Sequence, residues 1–233
     1  MRRGALIVGA GTGISASVAR RFAREGFAVA LAARDSGRLA ALAAETGAER
    51  FACDASDPAA VAALFDGFDA LWGGAPDVVV YNPSARLRGA IVDLDPAEVR
   101  RALDVTAFGA FLTAREAAAR MLPAGRGAIL FTGASAGVRG YPCSAPFAMG
   151  KFALRGLAQS VARELHPQGV HVAHVVIDGA VRDPERPGRA EPADRPDRML
   201  DPDAIAETYL QLHRQPRSAW AWEIELRPWV ESF

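Results

Sequence analysis

The sequence is poor in cysteine, carries no net charge and has no long apolar run. Its two cysteines among 233 residues, Cys53 and Cys143, form neither a metal-spaced pair nor a disulfide framework. The 27 basic residues balance the 27 acidic ones, which argues against a general electrostatic grip on nucleic acid or an anionic membrane. No stretch approaches the roughly 20 apolar residues of a membrane span, and the opening residues are too short an apolar run for a signal peptide. We therefore expect a cytoplasmic globular protein with no nucleic-acid, membrane or metal partner.

Lysine is almost absent as well. The basic residues are 26 arginines and a single lysine, Lys151. A bias this strong suggests that arginine is used wherever any positive charge serves. Lys151 is then a candidate for a role that needs a compact ammonium, because that group and a planar guanidinium are not interchangeable. A single lysine could also be chance.

Apolar runs alternate with helical patterns along the whole chain. Residues 5–8 are continuously apolar, as expected for a strand buried on both faces of a parallel sheet. Further strands are predicted at residues 27–33, 51–53, 77–81, 127–131, 170–177 and 222–226. The alternation predicts right-handed βαβ units. We therefore expect a single α/β domain over residues 1–233, a doubly wound parallel sheet of about seven strands with helices on both faces.

Three helix starts share one signal. Asp57, Asp95 and Asp201 each precede a proline. Aspartate can cap free backbone N–H groups, and proline at the first helical position loses no hydrogen bond. Other helical patterns cover residues 37–45, 96–121 and 147–166.

One segment breaks this pattern. Residues 182–200 are dense in proline, arginine and acidic residues and contain little apolar material. The segment could be a solvated loop. At this position in a doubly wound sheet it is also where a mobile lid would lie.

A glycine-rich turn follows the first strand. Gly9, Gly11 and Gly13 stand between a strand and a helix, where backbone N–H groups can approach a pyrophosphate at the positive end of the helix. Glycines also make ordinary turns, but the position at the first strand of a βαβ unit favours nucleotide binding. The spacing from Gly9 to Gly13 and Ser15 differs from the common Gly-x-Gly-x-x-Gly fingerprint.

This turn resembles the Gly-x-x-x-Gly-x-Gly motif of the short-chain dehydrogenase/reductase family, with Ser15 in place of the last glycine. Asn82 is similar to the first asparagine of the family's Asn-Asn-Ala-Gly segment, and Lys151 opens a segment that resembles its Tyr-x-x-x-Lys helix. The resemblance covers nearly the whole chain and implies a Rossmann-type fold with a nicotinamide cofactor. The cofactor-binding residues that it implies are Gly9, Gly11, Thr12, Gly13, Ile14, Arg34, Asp54, Ala55, Asn82, Lys151 and Gly179.

The end of the second strand bears on the choice of cofactor. Family members that prefer NAD place an acid there, whereas this chain has Ala33 followed by Arg34. An arginine at this position would pair with the 2′-phosphate of NADP. Arg34 could instead be a solvated residue paired with Asp35. The family's second NADP mark is absent, because Thr12 stands where a basic residue would be. We expect NADP, with NAD the less favoured alternative.

The family's catalytic positions are only partly kept. The lysine position is Lys151, but the tyrosine position is Phe147 and the asparagine position is Thr106. The serine position is Ala134, with Ser135 one residue later. Losing a positioned acid or base costs about 10²–10⁴-fold in rate, so an ordinary carbonyl reductase with these residues would be badly impaired.

Several residues could compensate. Tyr141 precedes the helix of Phe147, and Asp178 and Asp183 are expected at the mouth of the same active-site crevice. Asp183 also stands where the family's threonine meets the carboxamide. The alternatives are that Tyr141 only packs, that Ser135 only forms a turn, and that the two aspartates are solvated. Two functions stay open: an NADP-dependent short-chain oxidoreductase with an altered proton donor, or a catalytically silent nucleotide-binding sensor or subunit partner.

The substrate and the assembly are less well defined. We expect a small carbonyl or alcohol substrate, in a pocket walled by residues 86–91, residues 138–145 and the proline-rich segment. The resemblance implies a homodimer or homotetramer that pairs through the two long helices and the last strand. Apolar side chains that could serve that contact or the core are Phe108, Phe111, Leu154 and Leu157.

Overall fold

All strands belong to one parallel sheet. The computed structural model describes residues 3–183, 185–192, 194 and 196–231. The strands are β1 (Gly4–Val8), β2 (Ala28–Ala33), β3 (Glu49–Ala52), β4 (Val78–Tyr81), β5 (Ala128–Thr132), β6 (His171–Ile177) and β7 (Glu223–Leu226). Their order is β3-β2-β1-β4-β5-β6-β7, and every neighbouring pair is parallel. The prediction of a doubly wound sheet is confirmed.

Helices cover both faces of this sheet. They are α1 (Ile14–Arg24), α2 (Ala40–Thr46), α3 (Pro58–Trp72), α4 (Pro96–Leu103), α5 (Gly109–Met121), α6 (Ala145–Leu165) and α7 (Pro202–Arg214). Consecutive strand residues point to opposite faces, so each face has its own core. Leu6 packs in the cluster that contains Phe65 of α3, whereas its neighbour Ile7 packs in the cluster that contains Phe22 of α1 and Tyr209 of α7.

The strand order reverses between β1 and β4. β1 pairs with β2 on one side and with β4 on the other, and the chain leaves these strands in opposite directions. Ligands of open α/β sheets bind in the crevice at the carboxyl ends of strands where such a reversal occurs. The turn after β1 and the loop after β4 therefore border the expected binding crevice.

The helix-start signals are correct. The side chains of Asp57, Asp95 and Asp201 each accept a hydrogen bond from the backbone N–H two residues later. Some bounds differ from the prediction. The pattern at residues 37–45 is a 3₁₀ turn at Ser36–Leu39 followed by α2, and β3 begins at Glu49 rather than at residue 51.

The prediction of a helix over residues 96–121 is correct in its extent, but the hydrogen bonding is not α-helical throughout. A π-helical segment, Asp104–Phe108, separates α4 from α5. Widening the helix frees carbonyl groups from the ordinary ladder, and the hydroxyl of Tyr81 donates a hydrogen bond to the carbonyl of Val105. A Cβ at Gly109 would lie 2.5 Å from that hydroxyl oxygen, so the helix passes very close to β4 here.

A single β-bridge joins the two ends of the proline-rich segment. Val181 pairs with Leu200, and Arg182 forms ion pairs with Asp201 at 2.9 Å and with Glu191 at 3.5 Å. Most of its described residues are exposed. Pro184, Ala193 and Arg195 lie outside the described residues. The role of this segment as a lid stays a prediction.

The described residues show neither a membrane-spanning helix nor a metal-binding cluster. No helix in this part of the chain has the length and apolarity to cross a bilayer. The same residues contain no group of three or more histidine, cysteine, aspartate or glutamate side chains that could hold a metal ion.

Candidate cofactor and active site

The turn after β1 has the shape of a phosphate cradle. Gly9 has φ +77°, and a Cβ there would lie 2.6 Å from the backbone nitrogen of Pro83, so only glycine fits. A Cβ at Gly11 would meet no atom within 4 Å, so this side of the turn is open. Gly13 is the N-cap of α1 and provides no side-chain cap, and the first turn of α1 contains no acidic residue. The N–H groups at this helix end are therefore available to an anion.

Side chains fasten this turn to the end of β4. The hydroxyl of Ser15 donates to the carbonyl of Gly9 at 2.9 Å, and the side-chain amide of Asn82 donates to the Ser15 hydroxyl at 2.6 Å. Both Ser15 and the loop after β4 thus hold Gly9 in place. Sequence reasoning treated Ser15 as a departure from the glycine motif and missed this role.

Asp183 lies directly on the cradle. Its carboxylate accepts a hydrogen bond from the Thr12 hydroxyl at 2.8 Å, and one oxygen lies 3.3 Å from where a Cβ of Gly13 would be. Asp183 is only 4% exposed. The positive end of α1 stabilises a carboxylate at this position. The alternative that Asp178 and Asp183 are solvated is wrong, because both side chains are buried.

Arg34 is exposed at the end of β2. The alternative pairing with Asp35 is wrong, because Asp35 accepts from the N–H of Gly37 and pairs with Arg38 at 3.2 Å. Arg34 has no carboxylate partner among the described residues. Hydrogen bonds from Ser56 lower the pKa of Asp54, and the positive charge of Arg34 contributes to this shift. Arg34 and Asp54 therefore face the same part of the crevice, beside the buried Ala55.

Lys151 is buried on α6, behind the end of β5. The residue is 2% exposed, and its ammonium donates a hydrogen bond to the carbonyl of Thr132 at 2.7 Å. Burial lowers the pKa of Lys151 from 10.5 to about 7. Desolvation has this effect because it disfavours the charged form. The single lysine is therefore an amine that can change its charge near neutral pH.

Phe147 lies one helical turn before Lys151, so both side chains share a face of α6. The guanidinium of Arg86, from the loop after β4, stands 5.2 Å from the centre of the Phe147 ring. Residue 86 was expected to wall the pocket, but its contact with Phe147 was missed. The contact joins two elements far apart in sequence, and no local pattern could have identified it.

Thr106 lies in the π-helical segment and is buried. Its hydroxyl accepts a hydrogen bond from the backbone N–H of Ala85 at 3.1 Å. A Cβ at Gly150 would lie 3.0 Å from the Thr106 side chain, so α6 packs tightly against it. Thr106 therefore holds the loop that carries Arg86 against α6.

Ser135 begins a 3₁₀ turn after β5, and its carbonyl accepts hydrogen bonds from the N–H groups of Val138 and Arg139. Among the described residues its hydroxyl has no hydrogen-bond partner. Gly137 in the same turn packs against the backbone of Lys151, with a Cβ position 3.0 Å from the Lys151 carbonyl oxygen. The turn therefore lies beside the catalytic helix expected from the sequence.

The other candidate proton donors belong to a separate cluster. Arg139 donates to the hydroxyl of Tyr141 at 2.5 Å and to the Asp178 carboxylate at 3.3 Å. Asp178 also pairs with Arg227 at 2.8 Å. Gly179 follows with φ +158°, and a Cβ there would lie 2.8 Å from the ring of Pro228. The described contacts link neither Tyr141 nor Asp178 to Lys151.

A histidine lies next to this site on the buried side of the sheet. His174 of β6 is fully buried, and its Nδ1 lies 3.0 Å from the carboxylate of Glu223, which also pairs with Arg155 of α6 at 2.6 Å. Desolvation lowers the pKa of His174 to about 4, despite Glu223. His174 is therefore neutral at physiological pH, and its contact with Glu223 joins β6 to β7.

Comparisons with known proteins agree with this architecture. A model of the short chain dehydrogenase family matches residues 3–184. A short-chain dehydrogenase/reductase of Armillaria gallica is 33% identical over 190 residues, which are 78% of this chain and 72% of that protein.

Solved structures extend the agreement to nearly the whole chain. A short-chain dehydrogenase from Rhodopseudomonas palustris is 36% identical, with a TM-score of 0.83 over 97% of this chain and 99% of that one. A metagenomic short-chain oxidoreductase in complex with NADP is 29% identical, with a TM-score of 0.85 over 98% of each chain. With the family model, the parallel sheet and the glycine turn, these matches show that the chain belongs to the short-chain dehydrogenase/reductase family of oxidoreductases, whose fold uses a nicotinamide cofactor.

Proposed function

We propose that this protein is an NADP(H)-dependent oxidoreductase that acts on a small carbonyl or alcohol substrate, with a proton donor that differs from the family's tyrosine. The observation that carries the proposal is the buried ammonium of Lys151, held at 2.7 Å from the Thr132 carbonyl beside the crevice of the glycine turn. Burying an amine in this way costs free energy, so a chain that otherwise uses arginine has a specific use for it.

The residues of the crevice fit the cofactor. Gly9 and Gly13 shape the cradle, Gly11 leaves it open, and Ser15 and Asn82 hold it in place. These residues would hold the pyrophosphate, and Lys151 would hold the nicotinamide ribose. The other residues proposed to bind the cofactor are Thr12, Ile14, Asp54, Ala55 and Gly179.

The phosphate on the adenosine ribose distinguishes NADP from NAD. Arg34 is exposed and faces Asp54 without a carboxylate partner in the described part of the chain, so it is available to that phosphate. A guanidinium pairs with a phosphate through charge-assisted, bidentate hydrogen bonds. The NADP bound to the metagenomic relative supports the same choice.

The proton must follow a different route from the family's. The nicotinamide, when bound, supplies or accepts the hydride. Phe147 keeps an aromatic ring one turn before Lys151 but has no atom that exchanges a proton. Thr106 uses its hydroxyl to hold Ala85, and Ser135 remains the nearest candidate to polarise a substrate oxygen. We propose that water or the substrate itself provides the proton.

The alternative function is a nucleotide-binding sensor or subunit partner without turnover. Phe147 favours it, because the ring lacks the acid that the family's chemistry uses. Failure to oxidise or reduce any substrate while NADPH still binds would support this alternative.

We also propose that the chain forms a homodimer or homotetramer in the cytoplasm. Phe108 and Phe111 are 43% and 45% exposed, and their rings stack with centroids 6.1 Å apart. Met149 and Phe152 of α6 are also exposed, whereas Leu154 is fully buried and belongs to the core. Exposed aromatic pairs on long helices are typical of subunit contacts.

The cofactor proposal is tested by fluorescence titration with NADPH and NADH. We expect NADPH to bind more tightly, and Arg34→Asp or Arg34→Ala to remove or reverse the preference. Arg38→Ala is the matched control, because Arg38 is exposed on the same turn but is already paired with Asp35. Equal affinity of the wild-type protein for both cofactors would refute the assignment of Arg34.

A further inference from the structure

A second pocket lies at the amino ends of the strands, on the edge of the sheet opposite the cofactor crevice. Its volume is about 250 Å³, and we refer to it as the amino-edge pocket. It lies where three strands begin: Asp77 precedes β4, Gly127 precedes β5 and His171 is the first residue of β6. The connection from α7 to β7 completes the wall with Arg217 and Trp220.

One wall of this pocket is aromatic and uncharged. The rings of His171 and Trp220 stack with centroids 4.8 Å apart and planes within 4° of parallel. Nε2 of His171 lies 2.9 Å from the carbonyl oxygen of Ala221, and the indole N–H of Trp220 donates to the carbonyl of Gln215 at 3.0 Å, so both rings are held in place. Burial lowers the pKa of His171 and of His213, and both imidazoles are therefore neutral at pH 7.

The single carboxylate of the pocket already has its partners. One oxygen of Asp77 pairs with Arg126 at 2.7 Å, and the other accepts a hydrogen bond from the N–H of Gly4 at 2.8 Å. Arg126 lines the same pocket. The charges of Asp77 and Arg126 therefore balance each other within the wall.

Arg217 leaves one positive charge at this pocket. Its Nη2 donates to the carbonyl of Gly125 at 2.7 Å and lies 3.2 Å from where a Cβ of Gly169 would be. These contacts fix the guanidinium against the two turns that lead into β5 and β6. In the described part of the chain Arg217 forms no ion pair. A guanidinium has five N–H donors, so most of them are available to a ligand.

A buried nitrogen on the wall also lacks a partner. Nδ1 of His213 is buried and has no hydrogen bond among the residues that the structure describes. The His213 ring is held by Phe27, edge to face with centroids 5.4 Å apart. Buried polar atoms of native proteins are nearly all bonded to protein, water or a ligand. The pocket therefore combines an uncompensated charge, flat rings and an unused hydrogen-bonding atom.

We propose that the amino-edge pocket binds a small organic anion, with its carboxylate or phosphate on Arg217 and a planar body against Trp220. Guanidinium groups pair with both kinds of anion through charge-assisted hydrogen bonds. An inorganic ion would leave the aromatic wall uncovered. Small-molecule sites begin at roughly 300 Å³, so the volume limits the body to about one ring. This site lies outside the cofactor crevice, and the inference goes beyond the proposed function.

The test is calorimetric titration of the full chain with matched pairs of charged and neutral compounds at constant ionic strength. The pairs are benzoate with benzamide, and phenyl phosphate with phenol. We expect one anion to bind at least about tenfold more tightly than its neutral partner. The preferred pair distinguishes a carboxylate from a phosphate, and inorganic phosphate should bind more weakly than the preferred anion.

Variants then assign the binding to this pocket. Arg217→Gln should weaken binding of the preferred anion about tenfold, because it removes the charge. Trp220→Leu should also weaken it, because it removes the ring on which the body lies. Arg163→Gln is the matched control, since Arg163 is likewise exposed and donates only to a carbonyl, that of Gln159, among the described residues. Arg217 is exposed, so its variant decides the matter even if Trp220→Leu does not fold.

The outcomes are decisive in either direction. Equal or undetectable binding of charged and neutral compounds overturns the proposal, and so does an equal loss in Arg217→Gln and Arg163→Gln. Inorganic phosphate that binds as tightly as the preferred anion would indicate an adventitious ion only. If NADPH displaces the anion, the anion lies in the cofactor crevice and the proposal is also overturned. Failure of the chain to bind NADPH contradicts the proposed function alone, because the titrations need no cofactor.

Discussion

Asp183 offers the sharpest test of the cofactor site. Its carboxylate packs against Gly13 and accepts a hydrogen bond from the Thr12 hydroxyl. It therefore lies where the glycine turn would hold a pyrophosphate. The cofactor must therefore either displace this carboxylate or bind beside it. We expect Asp183→Asn to raise the affinity for NADPH, because the amide keeps the size of the side chain and one of the two hydrogen bonds that the carboxylate accepts, from Thr12 and from the N–H of Glu185, but removes its charge.

The magnitude follows from two contributions. Displacing a carboxylate from the end of α1 costs about 0.3–1 kcal/mol of interaction with the helix dipole. A carboxylate that stays about 5 Å from a phosphate charge is repelled by about 3 kcal/mol at an effective dielectric constant of 20. Either the carboxylate is displaced or it stays, so the charge opposes binding by about 0.3–3 kcal/mol. This range corresponds to NADPH binding about 2- to 150-fold more tightly in the variant.

The assay is titration of NADPH fluorescence at constant ionic strength, because phosphate contacts are sensitive to salt. Asp93→Asn is the matched control, since Asp93 is exposed in a short turn, Ile91–Asp93, that forms no hydrogen bond with the glycine turn among the described residues. It removes the same charge and should leave the affinity unchanged. Unchanged or weaker binding by Asp183→Asn would show that this carboxylate does not oppose the cofactor, and the placement of the pyrophosphate on Gly13 would be wrong.

Two further predictions concern α6. Phe147→Tyr should raise the rate of carbonyl reduction by about 10²–10⁴-fold, because it restores a phenol one turn before Lys151. The control is Phe152→Tyr, on the exposed side of the helix. If the wild-type protein reduces carbonyl compounds as fast as Phe147→Tyr, the proposal of an altered proton donor is contradicted. The free energy of unfolding should rise with pH between about 7 and 10.5, because in that window the unfolded chain holds a proton on Lys151 that the folded protein has lost. Chemical denaturation across this range should show a rise of at most about 5 kcal/mol that is missing in Lys151→Met, and parallel pH profiles would disprove the lowered pKa of Lys151.

The sequence predicted the architecture because the relevant signals are local. Apolar runs such as residues 5–8 mark strands that are buried on both faces, and the Asp-Pro pairs mark helix starts by their own capping bonds. The glycine turn was also predictable, since its φ angles and close approaches depend on glycine itself. The errors of one or two residues at strand and helix ends arise because pairing with neighbours, rather than propensity, sets the last residues.

The features that the sequence did not reveal depend on contacts between distant segments. The π-helical segment is stabilised by the hydroxyl of Tyr81 from β4, which no periodicity within residues 96–121 encodes. Asp183 was expected to be either catalytic or solvated, and only the folded chain brings it to Thr12. The position of Arg86 over Phe147 likewise depends on the packing of the loop after β4 against α6.

Because the only lysine is buried, its chemical modification would report when the crevice opens or the chain unfolds. An acylating reagent that attacks primary amines finds no exposed side chain in the folded protein, because Lys151 lies behind β5 with 2% of its surface accessible. Once the crevice opens or the chain unfolds, the same amine becomes a nucleophile at a single known position. Mass spectrometry of the acylated peptide that contains residue 151 would then time the exposure of the protein interior without an engineered probe.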